Sequence, residues 1–488
     1  MKSSGLLSYI DGRSCAILGL GVSNLPLAQV LCEAGVALTV YDKKPLSELG
    51  DAAQDLAARG VKFICGADAF ARIDETLIFR SPGLRPDLPA IVRAQERGGE
   101  LSSEIELLLL LTAADTYGIT GSDGKTTTTT LTGKFLAAQK AREGAGRAFV
   151  GGNIGTPLLT VCDEMTDADC AVLELSSFQL MTASHTVRHA AITNLTPNHL
   201  DWHTDMGEYE RAKRHLVGKE TVRLVTNAEN AVTARIAREE IASGAREVIL
   251  FSSTRTRYED FASFSVDGAP FGAIYERDGV IRYANGGDET DLLETKHIRV
   301  PGRHNVENFM TAMGLTLGVV DLGVYEEVAT SFSGVEHRLE WVRNLDGVDY
   351  YNGSIDSSPT RTAAALSALD GRDIVIICGG YDKKIAFEPL AISLCQSARA
   401  VVLTGATGEK IRTCIEKCPL YDPKRLQVVS EPIFADAVAA ARTLAREGGC
   451  VLLSPACASF DAFRNFAERG EAFKAIVRAF LPAKDTKN

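Results

Sequence analysis

The sequence predicts an α/β protein of three domains in series, each organised on a largely parallel sheet. Three observations carry that expectation. Short apolar runs alternate with helix-length amphipathic stretches along most of the chain, which is the grammar of βαβ units. Several of the runs end in glycine-containing turns, at Gly19, Gly121 and Gly379, where such sheets offer ligand sites at the carboxyl ends of their strands. The chain has 488 residues, more than the roughly 250–300 that one hydrophobic core organises.

Composition narrows the functional classes. With 45% hydrophobic and 24% charged residues the chain is ordinary globular material, not a disordered, collagenous or coiled-coil one. Lys and Arg number 52 against 63 Asp and Glu, a net charge of −11. General nucleic-acid binding needs a basic surface, so none is expected; a local basic site for a small anion remains open. No apolar run approaches the ~18 residues of a spanning helix, so no membrane partner is expected. Near the start, Asp11 and Arg13 break the apolar stretch and a glycine-rich turn follows, so no export signal is read. Eleven cysteines are scattered, mostly in apolar runs (Cys65, Cys170, Cys378), as expected of buried, reduced thiols in a cytoplasmic protein. Cys414 and Cys418 have no second Cys or His pair at metal-site spacing and read as core thiols.

The first domain is expected over residues 1–112, with strands at 14–18, 36–41, 62–65 and 76–79 and a helix at 25–34. Gly19-Leu-Gly-Val-Ser-Asn24 is a shortened dinucleotide fingerprint in which Asn24 replaces the third glycine. Asp42 closes the second strand, where a ribose-binding acid would sit. NAD and other nucleoside diphosphates satisfy that geometry equally. The fourth strand runs into Ser81-Pro-Gly83.

The second domain is expected over 113–333. Its strands are read at 117–120, 148–150, 171–175, 190–194, 223–226 and 247–251. An antiparallel appendage of short alternating runs follows between 264 and 300, and a helix at 305–319 closes the domain. Gly118-Ile-Thr-Gly-Ser-Asp-Gly-Lys-Thr-Thr127 carries the most information. A strand enters a glycine-rich turn and Lys125-Thr126 opens a helix. Such turns aim backbone N–H groups and a helix amino terminus at phosphate oxygens. Lys125 would reach the β- and γ-phosphates and the Thr126 hydroxyl a Mg²⁺ ion. Ile119 occupies the first glycine position of the strict pattern. Five consecutive threonines, 126–130, reinforce the motif, since β-branched residues are not chosen for helix propensity. Glu174, at the carboxyl end of the run 171–173, stands where nucleotide sheets place a metal ligand; an ordinary loop acid is the plainer alternative. His199, in Asn194-Leu-Thr-Pro-Asn-His-Leu-Asp201, follows the next strand and reads as a metal or phosphate contact beside Glu174. Lys213 lies in a helix at 209–216 and on its own reads as a solvated lysine.

The third domain is expected over 334–488, with parallel strands at 373–378, 400–404, 426–429 and 450–453. Cys378-Gly-Gly-Tyr-Asp-Lys383 and Ser454-Pro-Ala-Cys-Ala-Ser459 follow two of them. Together, Lys383 and Ser459 could hold a small carboxylate; two ordinary βα turns are the bland reading. Cys457 has no histidine after it in the domain and reads as structural.

Taken in order, Thr120-Gly-Ser-Asp-Gly-Lys-Thr-Thr127, Gly151-Gly-Asn-Ile-Gly155, Glu174-Leu-Ser-Ser-Phe-Gln-Leu180, Asn194-Leu-Thr-x-x-His199, His304-Asn-x-x-Asn308, Glu336-His-Arg338 and Ser454-Pro-Ala-Cys-Ala-Ser-Phe-Asp461 resemble the Mur ligases of peptidoglycan precursor synthesis. The resemblance covers nearly the whole chain and is nearest to the D-glutamate-adding branch. It implies a Rossmann-like first domain for a UDP-linked acceptor, a central P-loop mononucleotide-binding domain for ATP, and a Rossmann-like last domain for D-glutamate. The implied partners are ATP, UDP-N-acetylmuramoyl-L-alanine and D-glutamate, with two Mg²⁺ ions; the protein itself is expected to be a cytoplasmic monomer. ATP would convert the acceptor carboxylate to an acyl phosphate, which the D-glutamate amine attacks.

The resemblance also implies residue roles. Gly121, Ser122, Asp123, Gly124, Lys125, Thr126 and Thr127 would hold the ATP phosphates, Asn305 and Asn308 the adenine, and Arg338 phosphate or ribose. Thr126, Glu174, His199 and a carbamylated Lys213 would surround the metals, with Lys125, His199 and Lys213 the catalytic set. Leu20, Ser23, Asp42, Lys43, Ser81, Gly83 and Asn153 would line the UDP-substrate cleft. Ser357, Lys383, Ser459 and Phe466 would hold D-glutamate. Two departures stand out. Gly353 and Ile355 occupy positions where many relatives carry an acid and a lysine, with Asp356 near enough to replace the acid. Asp123 stands in for a commoner asparagine. A ligase that adds L-glutamate to folate, and a UDP-sugar binder without catalysis, are the alternatives.

Overall fold

The computed structural model describes residues 4–155, 157–200, 202–383 and 385–482; Asp201, which ends the His199 motif, lies outside them. Contacts gather the chain into two compact units, residues 1–297 with 306–328, and 298–305 with 329–488.

The first unit holds two sheets. One is parallel throughout, in the order β3-β2-β1-β4-β5. Its strands are β1 Cys15–Leu18, β2 Leu38–Asp42, β3 Lys62–Cys65, β4 Leu77–Arg80 and β5 Glu100–Ser102. Chain order reverses between β1 and β4, so the crevice where a Rossmann-like sheet takes its ligand opens beside Gly19 and Ser81. The strand β5 escaped the sequence reading because three residues carry almost no periodicity.

The second sheet contains β6 Asp115–Thr120, β7 Ala148–Gly152, β8 Cys170–Glu174, β9 His189–Ile192, β10 Arg223–Asn227, β11 Glu247–Ser252, β12 Gly272–Arg277, β13 Val280–Asn285 and β14 Asp288–Glu294. Their order is β14-β13-β12-β11-β10-β9-β6-β8-β7. The alternating runs are not a separate appendage: β12 pairs parallel with β11, and only β13 and β14 are antiparallel. β6 is central, flanked by β8 and β9. The carboxyl ends of these three strands therefore deliver the P-loop, Glu174 and the Asn194 loop side by side.

The sheet of the second unit contains β15 Glu340–Leu345, β16 Val348–Asn352, β17 Ile374–Gly379, β18 Ala400–Thr404, β19 Gln427–Ser430 and β20 Cys450–Leu453, in the order β15-β16-β20-β17-β18-β19. All but the β15–β16 hairpin pair in parallel. β17, β18 and β20 are buried along their whole length. Strands covered on both faces need continuous apolar sequence, and each buried Val, Ile or Leu contributes about 1.5–3 kcal/mol. The cysteines among the described residues are free thiols, eight of the eleven buried.

Candidate active site

The P-loop is built by backbone geometry. Gly121 has φ +143°, and a Cβ there would lie 1.9 Å from Thr193 Oγ1; Gly124 has φ +81° and caps the helix Lys125–Glu143. Only glycine tolerates both the conformation and the close approach. The loop is then braced against β9. Asp123 N donates to Asn194 Oδ1 at 3.0 Å and Thr193 Oγ1 donates to Asp123 O at 2.6 Å. Ser122 is buried, with Oγ bonded to Thr196 O and Tyr209 O–H, each at 3.0 Å. Its side chain braces the loop, and so does its backbone N–H, which donates to Asn194 O at 2.8 Å.

The threonine run also has a physical account. Thr130 and Thr132 donate their hydroxyls to the carbonyls of Thr126 and Thr128, each at 2.8 Å, while Thr128, Thr129 and Thr132 are fully buried. Back-bonding of this kind lets small polar side chains pack inside a helix interface. Thr128 Oγ1 lies 3.3 Å from Asn308 Oδ1, so this asparagine approaches the P-loop helix. Asn305, on the same helix Arg303–Thr316, donates to Pro301 O at 2.6 Å in the second unit.

Lys125 Nζ folds back onto its own loop, donating to Gly121 O at 2.9 Å and Ser122 O at 3.0 Å. Lys213 arrives from the helix Met206–Arg214 and also donates to Gly121 O, at 2.8 Å, and to Thr120 Oγ1 at 3.1 Å. The plain reading of Lys213 as a solvated lysine is corrected here: it is 2% exposed. Its pKa is driven well down, first by burial and then by the charge of Lys125, against the opposing pull of Glu174 and Asp123. An amine so placed is held toward its neutral, nucleophilic form.

Glu174 is the last residue of β8, not a loop residue, and is 2% exposed. Asn153 Nδ2 donates to its Oε1 at 2.8 Å, while Oε2 is buried with no hydrogen-bond partner among the described residues. A buried, half-satisfied carboxylate next to a P-loop suits a cation. Mg²⁺ keeps several waters and takes one or two carboxylates plus phosphates, so a dense protein cage is unnecessary. His199 has φ +55° and its ring meets Phe178 edge-on with centroids 5.0 Å apart. Among the described residues, the one close trio of His, Cys, Asp or Glu is Glu336, His337 and Glu471 in the second unit. Lys474 Nζ is already bonded there, at 2.7 Å to both glutamates.

In the first sheet, Leu20 N and Lys44 N donate to the two oxygens of Asp42, at 2.8 and 2.9 Å. Asp42 therefore ties the turn after β1 to the end of β2. Ser81 faces Gly19, whose added Cβ would be 3.2 Å from Ser81 Cβ. Ser23 lines a small cavity of about 10 Å³ with Arg80 and Glu104, and Lys43 borders a larger one of about 300 Å³ with Leu18 and Arg93. Gly83 O accepts from Trp202 Nε1 at 3.4 Å. Trp202 went unremarked in the sequence, where a single aromatic in a loop carries no signal.

In the second unit, Lys383 Nζ approaches the carbonyl and hydroxyl oxygens of Ser357, each at 3.3 Å. Tyr381 N donates to Ala458 O at 2.9 Å, which brings the Lys383 turn beside buried Ser459. Phe466 is 40% exposed and opens the helix Phe466–Ala479. Asp356 is buried, accepts from Ser454 Oγ at 2.9 Å, and is pushed up to about 6, chiefly by burial and against the charges of Arg338, Arg361 and Arg469. A Cβ on Gly353 would sit 2.6 Å from Asp356 Oδ2 and 2.8 Å from Leu453 O. The Asp356 carboxylate thus fills the space that a side chain at 353 would need.

Two family profiles match the chain, the Mur ligase middle domain over residues 119–316 and the Mur ligase glutamate ligase domain over residues 337–457. The chain is 41% identical to the UDP-N-acetylmuramoylalanine–D-glutamate ligase of Clostridium beijerinckii, over 96% of this chain and 98% of that protein. It is 39% identical to the protein of the same name in Clostridium perfringens, over 96% and 97%. Among solved structures, the UDP-N-acetylmuramate–alanine ligase of Thermotoga maritima aligns over 96% of this chain and 99% of its own, with TM-score 0.52 and 18% identity, a likeness of fold. The chain belongs to the Mur ligase family.

Proposed function

We propose that this chain is the ATP-dependent ligase that adds D-glutamate to UDP-N-acetylmuramoyl-L-alanine in peptidoglycan precursor synthesis. The observation that carries the reading is the meeting of Lys125 and Lys213 on Gly121 O, with half-satisfied Glu174 on the neighbouring strand. A nucleotide phosphate, a metal and an anionic acceptor are the groups such an arrangement can hold together.

The roles follow from the chemistry of each side chain. The backbone of Gly121–Thr127 and the Lys125 ammonium hold the ATP phosphates. Asn153 orients Glu174 through Oε1 and leaves Oε2 for Mg²⁺. Thr126, Glu174, His199 and Lys213 would hold two Mg²⁺ ions, which supply charge neutralisation between the phosphates and the acceptor carboxylate. Neutral Lys213 can add to CO₂, forming an N–C bond and releasing a proton. The carbamate offers oxygen donors in place of an ammonium, as Mg²⁺ prefers. Asn305, Asn308 and Arg338 would contact the remainder of ATP.

Leu20, Ser23, Asp42, Lys43, Ser81, Gly83 and Asn153 are assigned to the UDP-linked acceptor. Ser357, Lys383, Ser459 and Phe466 are assigned to D-glutamate, with Lys383 pairing a carboxylate. Domains at 1–112, 113–333 and 334–488 would take acceptor, ATP and D-glutamate respectively. None of the described helices is long and apolar enough to cross a membrane, and a cytoplasmic monomer fits substrates of this polarity.

The test is phosphate release with Mg²⁺ and bicarbonate. Release should require ATP, UDP-N-acetylmuramoyl-L-alanine and D-glutamate together, and L-glutamate should not replace the D isomer. Activity with L-glutamate and a folate acceptor would make the chain a different ligase of the same fold. No release from folded protein with all three substrates would leave a UDP-sugar binder.

A further inference from the structure

Arg80, the last residue of β4, is a guanidinium buried to 1% exposure. Among the described residues, every acceptor it reaches is neutral. Nη1 donates to the carbonyls of Ser81, Pro82 and Leu84. Nη2 donates to Phe178 O at 2.7 Å and Thr182 Oγ1 at 3.3 Å. Among the described residues no carboxylate offsets its burial, which draws its pKa down to about 10. An unpaired buried charge is costly, and here it ties segment 81–84 to the short helix Ser177–Leu180, just after Glu174.

Arg85 grips the same segment from its other end. Its guanidinium lies 5.0 Å from the Trp202 ring centroid, donates to Trp202 O at 2.6 Å, and forks onto both oxygens of Glu208 at 3.0 and 3.2 Å. Trp202 follows His199 by three residues, and Glu208 stands on the helix that carries Lys213. Phe178 closes the loop: its ring meets those of His199 and Trp202, at 5.0 and 4.6 Å.

We infer that Arg80 and Arg85 form a clamp that registers segment 81–85 against the segments carrying Glu174, His199 and Lys213, and so positions the UDP-linked acceptor's carboxylate for phosphorylation. The inference rests on the function proposed above. Neither arginine is assigned contact with a reacting atom; both act as positioning residues. The clamp shapes the seat that the acceptor occupies in the ground state and the transition state alike, so a loosened clamp should be felt chiefly in the acceptor KM.

The experiment is steady-state kinetics of Arg85→Met, Arg85→Lys, Glu208→Gln, the Arg85→Met/Glu208→Gln double variant and Arg80→Lys. Arg85→Met should raise the acceptor KM about tenfold or more and leave the KM of ATP and of D-glutamate within about twofold. Arg85→Lys should not rescue, because the planar fork is lost. The double variant should fall short of the sum of the singles, because each single already loses the Arg85–Glu208 contact; Arg85 also pairs with Asp87 at 2.8 Å and Glu208 also accepts from Thr204 N at 2.8 Å. Arg80→Lys should shift the acceptor KM in the same direction. A fall in kcat with an unchanged acceptor KM, full rescue by lysine, or additive effects would overturn the clamp. An inactive wild-type protein would instead defeat the proposed function, so the two failures are distinguishable.

Discussion

The ammonium nitrogens of Lys125 and Lys213 meet on one atom. The carbonyl oxygen of Gly121 accepts from both, at 2.9 and 2.8 Å. Two cations cannot share one acceptor in a desolvated site without penalty, and the more buried one yields: Lys213 is the lysine pushed toward neutrality. Under the carbamylation proposed above, the charge of Lys125 would favour the neutral Lys213 amine that adds to CO₂.

Lys213→Ala is expected to lose turnover by orders of magnitude, and short-chain carboxylic acids should restore part of it by standing in for the carbamate. With ¹³C-labelled bicarbonate, the wild-type protein should show a carbamate resonance that this variant lacks. Absence of both rescue and resonance would leave Lys213 as a structural lysine.

Lys125→Ala should lower turnover by roughly a hundredfold or more, the scale of losing a preorganised charge at a phosphoryl-transfer site. Calorimetric binding of the UDP-linked acceptor should be unchanged. Retained turnover would remove the P-loop from the mechanism.

Asp356 and Gly353 exclude each other's alternatives. Because Asp356 Oδ2 and Leu453 O crowd the position of a Cβ on residue 353, Asp356→Ala is expected to lower kcat/KM for ATP by about tenfold or more, the range for truncating a buried charged group. Gly353→Asp added to that variant should fail to restore it, since the Leu453 carbonyl still blocks the site. Recovery in the double variant, measured by the same kinetics, would show that the carboxylate can be supplied from either position.

Glu104 offers a stability test independent of activity. It is 4% exposed, and burial raises its carboxyl from 4.5 to about 7. Below pH 4.5 both folded and unfolded chains hold the proton; between 4.5 and about 7 only the unfolded chain releases it. Stability from this group is therefore lost as pH rises through that window. Glu104→Gln should match wild type at pH 4 and exceed it by about 3 kcal/mol at pH 8 in denaturant unfolding, at roughly 1.36 kcal/mol per pKa unit. A stability gap that does not change between the two pH values would contradict this.

Much of this architecture is legible in the sequence, for identifiable reasons. β17, β18 and β20 are buried on both faces and had to be written as unbroken apolar runs. The P-loop needed its glycines because of Gly121's approach to Thr193. The β15–β16 hairpin was missed although Asp346-Gly347 marks its turn, with both residues at positive φ. Strand β5 was too short to signal itself. At the site, motif order brings forward Lys125 and Glu174, and the family resemblance Lys213, but no local pattern reveals that Lys213 is buried. Likewise Arg80, Arg85 and Trp202 carry no local signal, because their partners lie some hundred positions away in the chain.

The central claim is that these residues activate the acceptor's carboxyl group by phosphorylation, and an isotope transfer tests it most directly. The acceptor is prepared with ¹⁸O in its alanyl carboxylate and turned over with ATP, Mg²⁺ and D-glutamate. Passage through an acyl phosphate breaks one labelled C–O bond at amide formation, so each released phosphate should carry one ¹⁸O atom. Unlabelled phosphate, released alongside the amide product, would contradict the account.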